Sequence, residues 1–136
     1  MSTLQVELVA ADRKVWEGEA SMVQARTVDG ELGILPGHTP LLTVLKVGAL
    51  SYRQGEARSY VAIANGFAEA LADRVTVLAQ MAERAEEIDV TKAKAAQDRA
   101  EQRLAAGGPM TDVEAARESL AKASTRLLVA SKARTR

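Results

Sequence analysis

No cysteine occurs in this 136-residue chain, and there is a single histidine. The missing cysteine excludes a disulfide framework and thiolate chemistry, and it favours the cytoplasm, where disulfides are rare. With one imidazole besides, the ligand set argues against a zinc site. A carboxylate loop for Ca²⁺ would need an Asp-x-Asp-x-Asp-Gly spacing, which is missing too. Aromatic residues are scarce, with one Phe, one Trp and two Tyr. The core must therefore be compact and built of Val, Leu, Ile and Ala, with Trp16 as a core or edge filler rather than a binding platform. No apolar run approaches the roughly 18 residues of a membrane span. The opening MSTLQVELVAADRK lacks the basic start and apolar stretch of a signal peptide.

What is present divides in two. The net charge of zero is a cancellation: residues 1–88 carry 8 Lys and Arg against 12 Asp and Glu, and residues 89–136 carry 10 against 6. Halves of −4 and +4 suggest segments with different partners. The length fits one ordinary domain, or a small domain with an appendage.

Residues 3–81 read as strands. LQVELV alternates, placing Leu4, Val6 and Leu8 on one face. Turn signals recur at Asp12-Arg13, Asp29-Gly30, Pro36-Gly37, Gln54-Gly55, Asn65-Gly66 and Asp73. Short strands at such spacing, without a helical pattern between them, predict an antiparallel β-sandwich or barrel.

At Ile88 the pattern changes. Asp89 is a candidate N-cap, with Ile88 placed to staple onto Ala93. Ala93, Ala96, Ala100 and Leu104 form the inward stripe of a helix that Gly107-Gly108-Pro109 stops. Thr111 to Glu114 reads as a capping box opening a second helix, whose stripe is Val113, Ala116, Leu120, Ala123, Leu127 and Ala130. The whole is then α+β in two modules: a sandwich over 1–88 and an antiparallel helical hairpin over 89–136. The hairpin should be held weakly. Alanine stands where a bundle would offer leucine, and Leu→Ala at buried sites loses about 2–5 kcal/mol.

The least ordinary stretch is GELGILPGHTPLL, residues 30–42, which holds three glycines, two prolines and the only histidine. A phosphate cradle would need a Lys and a helix after the glycines. Neither follows, because Pro40, Thr43 and Val44 oppose a helix. Rigid Gly/Pro segments on a sheet scaffold present binding residues instead, and Ile34 and Leu35 are expected to fill the core.

This run, VTVLAQMAERAEEIDVTKAKAAQDRAEQRL, the glycine turn and the short basic second helix together resemble the ε subunits of F-type ATP synthases over essentially the whole chain. The resemblance implies a non-catalytic rotor component at the cytoplasmic face of the bacterial cell membrane. It joins the γ subunit of the central stalk to the membrane ring of c subunits, coupling proton flow to ATP synthesis. The GELGILPGH run would be a loop facing the ring, with Glu31 and His38 at the contact positions. The hairpin would restrain ATP hydrolysis, with Lys122 and Arg126 facing acidic segments of the catalytic α/β subunits. Lys132, Arg134 and Arg136 extend that positive charge along and beyond the helix.

The same resemblance raises weak regulatory ATP binding, with no obligatory cofactor. The matching positions are Glu83, Ile88, Asp89, Lys92, Ala93, Arg99 and Arg126, with Lys122 a conservative replacement. Lys92 stands where the motif has arginine; it keeps the charge and loses the planar fork, so millimolar binding or none is expected. A free-standing ATP-binding module is the alternative function. An independent enzyme is the other class, and Glu83, Glu86 and Glu87 form the densest acidic cluster it could use, though the cluster reads as solvated surface.

Overall fold

The computed structural model describes residues 2–134, and of Arg134 the backbone only; Arg136 lies outside the described residues. Eight strands come first: β1 (Leu4–Ala10), β2 (Lys14–Ala20), β3 (Met22–Thr27), β4 (Gly30–Ile34), β5 (Leu41–Leu45), β6 (Gly48–Gln54), β7 (Ala57–Ala70) and β8 (Arg74–Arg84). A 3₁₀ turn (Ala85–Glu87) leads to α1 (Val90–Ala106) and α2 (Met110–Arg134). The strands fold into a sandwich in the order β2-β1-β8-β7-β5-β3-β4, with β6 pairing β3 and β7.

The alternation in β1 does what its period requires. Leu4, Val6 and Leu8 are at most 1% exposed and enter one core with Val23, Ile34, Leu50, Val61, Val75 and Val77. Trp16 stacks on Tyr52 with ring centroids 3.9 Å apart and packs against that core as a filler. The ladders are antiparallel except one: β1 and β8 pair in parallel, Val6 against Val75 and Leu8 against Val77. The all-antiparallel expectation therefore needs correction. A parallel pair requires a long crossover, and the six intervening strands provide it.

Asn65-Gly66 is not a turn. β7 runs straight through it, pairing β6 along Ala57–Ile63 and β5 along Gly66–Ala70. Asn65 adopts a left-handed conformation, φ 54°, which bends the strand where it passes from one neighbour to the other. Gly66 is required by close approach, because a Cβ there would lie 2.0 Å from the Leu78 carbonyl oxygen. The dipeptide signals a kink as well as a hairpin, and long-range pairing decides between them.

In the hairpin, Asp89 is the N-cap of α1, its carboxylate accepting from the Lys92 N–H at 3.1 Å. Gly107, at φ 73°, caps the other end and donates to the Leu104 carbonyl. The second helix starts earlier than the capping box suggested. Met110 is already helical and the Val113 N–H bonds to the Pro109 carbonyl, so Thr111 lies inside the first turn. Proline immediately before the helix fixes the entry that a Thr cap would otherwise provide.

Alanine does make the helix seam. Ala93 and Ala100 of α1 and Ala116, Ala123 and Ala130 of α2 are buried, with Gln97 donating to the Ser124 hydroxyl across it at 3.3 Å. Toward the sandwich, Val129 of α2 is buried with Ala62 and Ala85, and Ala49, Tyr60, Met81, Ile88 and Ala133 pack around them. Ile88 therefore staples the hairpin to the sandwich seam. That anchor is small and apolar, and it sits near the C-terminal end of α2.

Candidate functional site

The glycine-rich run is strand and turn rather than loop throughout. Glu31 stands exposed on the edge strand β4, opposite Arg26 of β3, because Thr27 closes the β3–β4 turn. The Thr27 hydroxyl donates to the Gly30 carbonyl at 2.8 Å and accepts from the Asp29 N–H at 3.1 Å. Beyond β4, the Gly37 N–H donates to the Ala72 carbonyl at 2.7 Å, and the His38 N–H to the Leu35 carbonyl at 3.1 Å. Those bonds tie the Pro36-Gly37 turn to the β7–β8 connection. The partly exposed His38 ring has Nδ1 at 2.6 Å from the Thr39 carbonyl, a bond that holds when Nδ1 carries the proton. Ile34 fills the core as expected, but Leu35 does not: it is 56% exposed. Strand alternation puts the two on opposite sides. No hydrogen bond joins Glu31 to His38 among the described residues, so they are not a catalytic pair.

A second surface lies on the outer face of the sheet, and the sequence reading passed over it. Val44, Phe67 and Leu78 are cross-strand partners on β5, β7 and β8, all exposed, with Val9 of β1 next in the row. Leu42, 69% exposed, extends the patch beside Glu69. An open groove of about 390 Å³ runs along one flank, lined by Val9, Ala10, Ala11, Phe67 and Leu78 among others. The signal was available: LLTVL, NGFAEAL and VTVLAQMA carry aliphatic or aromatic residues on both faces, whereas a strand wetted on one side alternates.

The third region is the seam between sandwich and hairpin. Glu83, Glu86 and Glu87 lie at the surface, Glu86 and Glu87 exposed and Glu83 partly so, and each meets its own arginine. Glu83 pairs with Arg126 of α2 at 2.5 Å, Glu86 with Arg84 at 2.9 Å, and Glu87 with Arg13 at 2.8 Å. Glu87 also accepts from the Arg84 N–H, and Arg13 reaches the Ala82 carbonyl, so the 3₁₀ turn is fastened to the β1–β2 connection. Carboxylates neutralised one by one are not a coupled acid–base pair. Further along α2, Glu118 accepts from the Asn65 amide at 2.9 Å and pairs with Lys122 at 3.3 Å. Those two contacts, the amide first, hold the Glu118 carboxyl below its usual range. Lys132 lies over the Tyr60 ring, 5.4 Å from its centre.

Of the nucleotide-site candidates, the fold joins Glu83 to Arg126 and Asp89 to the backbone of Lys92. Ala93 is buried in the helix seam, Ile88 packs partly buried against the sandwich seam, and Lys92 and Arg99 are exposed on α1. Among the described residues no hydrogen bond or ion pair links Asp89, Lys92 or Arg99 to Glu83 or Arg126. Both α/β-contact candidates are engaged within the chain, Lys122 with Glu118 and Arg126 with Glu83. Among the described residues no cluster of His, Asp or Glu could hold a metal ion, and no helix is long and apolar enough to cross a membrane.

Two family models match. "ATP synthase, Delta/Epsilon chain, beta-sandwich domain" covers residues 3–85, and "ATP synthase, Delta/Epsilon chain, long alpha-helix domain" covers residues 86–131. The chain is 47% identical over 131 residues to the ATP synthase epsilon chain of Halalkalibacterium halodurans, covering 96% of this chain and 98% of that one. It is 51% identical over 106 residues to that of Anoxybacillus flavithermus, covering 78% and 79%. Its fold is similar to a chain in the cryo-EM structure of Euglena gracilis mitochondrial ATP synthase, OSCP/F1/c-ring in rotational state 1, with TM-score 0.79 at 21% identity over the whole of this chain and 83% of that one.

Proposed function

The chain belongs to the ATP synthase epsilon-chain family, and from that premise we propose that it is a non-catalytic rotor subunit whose hairpin brakes ATP hydrolysis. The sandwich binds the γ subunit of the central stalk and the ring of c subunits; the hairpin, when released, reaches the catalytic α/β subunits.

One observation carries the reading: the hairpin rests on the sandwich through a small apolar cluster and a few polar ties that engage its own basic residues. Its apolar anchor is Val129 against Ala62 and Ala85 with a fringe of partly buried residues, and its polar ties include Glu118 to Asn65, Arg126 to Glu83 and Lys132 over Tyr60. An element held this lightly belongs to the low-stability end of the fold, where regulatory segments are drawn from. Release frees Arg126 from Glu83 and offers its charge to an acidic partner. The exposed row of Val44, Phe67 and Leu78 supports stalk docking, since contiguous apolar patches mark protein interfaces. Glu31 beside the β3–β4 turn, with His38 and exposed Leu35 in the β4–β5 connection, suits a mixed polar and apolar contact with the ring.

Co-purification with the γ subunit tests the docking half. The native chain is expected to be retained, and Phe67→Glu to be lost while its sandwich unfolds at an unchanged temperature. Retention of Phe67→Glu at native affinity would place the stalk contact elsewhere.

A further inference from the structure

The apolar anchor of the hairpin lies at the C-terminal end of α2, around Val129, and the Arg126–Glu83 pair is beside it. Eleven residues upstream, about 16 Å along the helix, the chain meets the sandwich again at Glu118. That contact is made by Asn65, the one non-glycine residue with positive φ among those described. Asn65 and Gln80 are missing from the β7–β8 pairing on either side of them. The Asn65 Nδ2 donates to Glu118 Oε1 at 2.9 Å and to Gln80 Oε1 of β8 at 3.3 Å. Asparagine suits both demands, since it tolerates the left-handed region and carries two donors.

We propose that Asn65 is a latch: the bend in β7 aims its amide at Glu118, and this bond holds the upstream half of α2 on the sandwich. Without it α2 is anchored at one end and opens from the other. The latch deepens the reading of the hairpin as a releasable brake, and it acts on the isolated chain, before any partner is present.

Three variants separate the amide from the bend. Asn65→Gly keeps the left-handed conformation accessible and removes the amide, with its bonds to Glu118 and to Gln80. Asn65→Asp keeps it too, and sets a carboxylate against Glu118. Asn65→Asp with Glu118→Gln restores a donor and an acceptor with their ends exchanged. Native-state hydrogen exchange, under conditions where rates follow the opening equilibrium, reads the latch at the amides of Ala116–Ala123. Asn65→Gly is expected to speed that exchange about three- to tenfold, the range of one charge-assisted bond at a partly exposed site. Asn65→Asp should speed it further, and the double variant should return it toward the native rate. The amides of β7 and β8 should keep their native rates in all three. Exchange within twofold of native in Asn65→Gly would overturn the latch, as would acceleration spread equally over sheet and helix, or a double variant no slower than Asn65→Asp. ATP hydrolysis by the assembled complex bears on the brake and not on the latch, so the two can fail separately.

Discussion

Arg126 on α2 and Glu83 at the end of β8 form a 2.5 Å ion pair across the seam between the two modules, with both side chains about 30% exposed. Family resemblance gives Arg126 two other roles, a nucleotide contact and an α/β contact. In the docked hairpin its Nε is already committed to Glu83.

The pair is therefore expected to set how readily the hairpin opens. Arg126→Ala should favour opening by about 1–2 kcal/mol, the range of a charged hydrogen bond at a partly screened site. Exchanging the charges, Glu83→Arg with Arg126→Glu, should recover most of that loss. A double-mutant cycle on the hydrogen exchange of α2 measures the coupling; additive single effects would mean that the pair contributes nothing.

Glu118 adds a pH dependence with a definite sign. Its carboxyl titrates below its usual value because the Asn65 amide and Lys122 both favour the charged form. A depressed folded-state pKa contributes stability above the unfolded value, near 4.5, and loses it as pH falls through the folded value. Opening of the hairpin should therefore increase as pH is lowered below about 4.5, and Glu118→Gln should flatten that increase. Exchange of α2 followed from pH 6 to pH 3 checks it, with the intrinsic pH dependence of exchange removed.

Much of this fold is legible along the chain. Alternation in LQVELV, the Asp89 cap and the Gly107 stop are local signals, and each acts as local physics requires. What the sequence hides is non-local. The parallel β1–β8 pair, the kink in place of a hairpin at Asn65-Gly66 and the arginines facing Glu83 and Glu87 all depend on residues 15 to 74 positions away, whereas the partner of Glu86, Arg84, is local. The apolar row of Val44, Phe67 and Leu78 could be suspected from strands apolar on both faces, but only the register aligns it.

Glu31 and His38 should affect binding and leave folding alone. One lies on an edge strand and the other just past a turn, both at the surface. Replacing each with alanine should change stability by no more than about 0.5 kcal/mol and weaken association with purified c-ring. A loss of several kcal/mol in thermal unfolding would mean that they hold the sandwich together.

Asp89 has a structural duty as the α1 cap, and Lys92 offers a flexible amine where the family motif has a guanidinium. Calorimetric titration with ATP should give a dissociation constant in the millimolar range, about −4 kcal/mol, or no heat at all. Asp89→Ala should lower helicity and destabilise α1 by about 1 kcal/mol. Micromolar affinity that survives Asp89→Ala would show a nucleotide site built on other residues.

The most direct test of the brake compares ATP hydrolysis by the assembled complex carrying the full chain with hydrolysis by one carrying residues 1–88. The sandwich core is drawn wholly from β1–β8, so the shortened chain retains it. Faster hydrolysis with the shortened chain, at equal occupancy of the complex, is the predicted result. Equal rates would contradict the account and leave the hairpin without an inhibitory role.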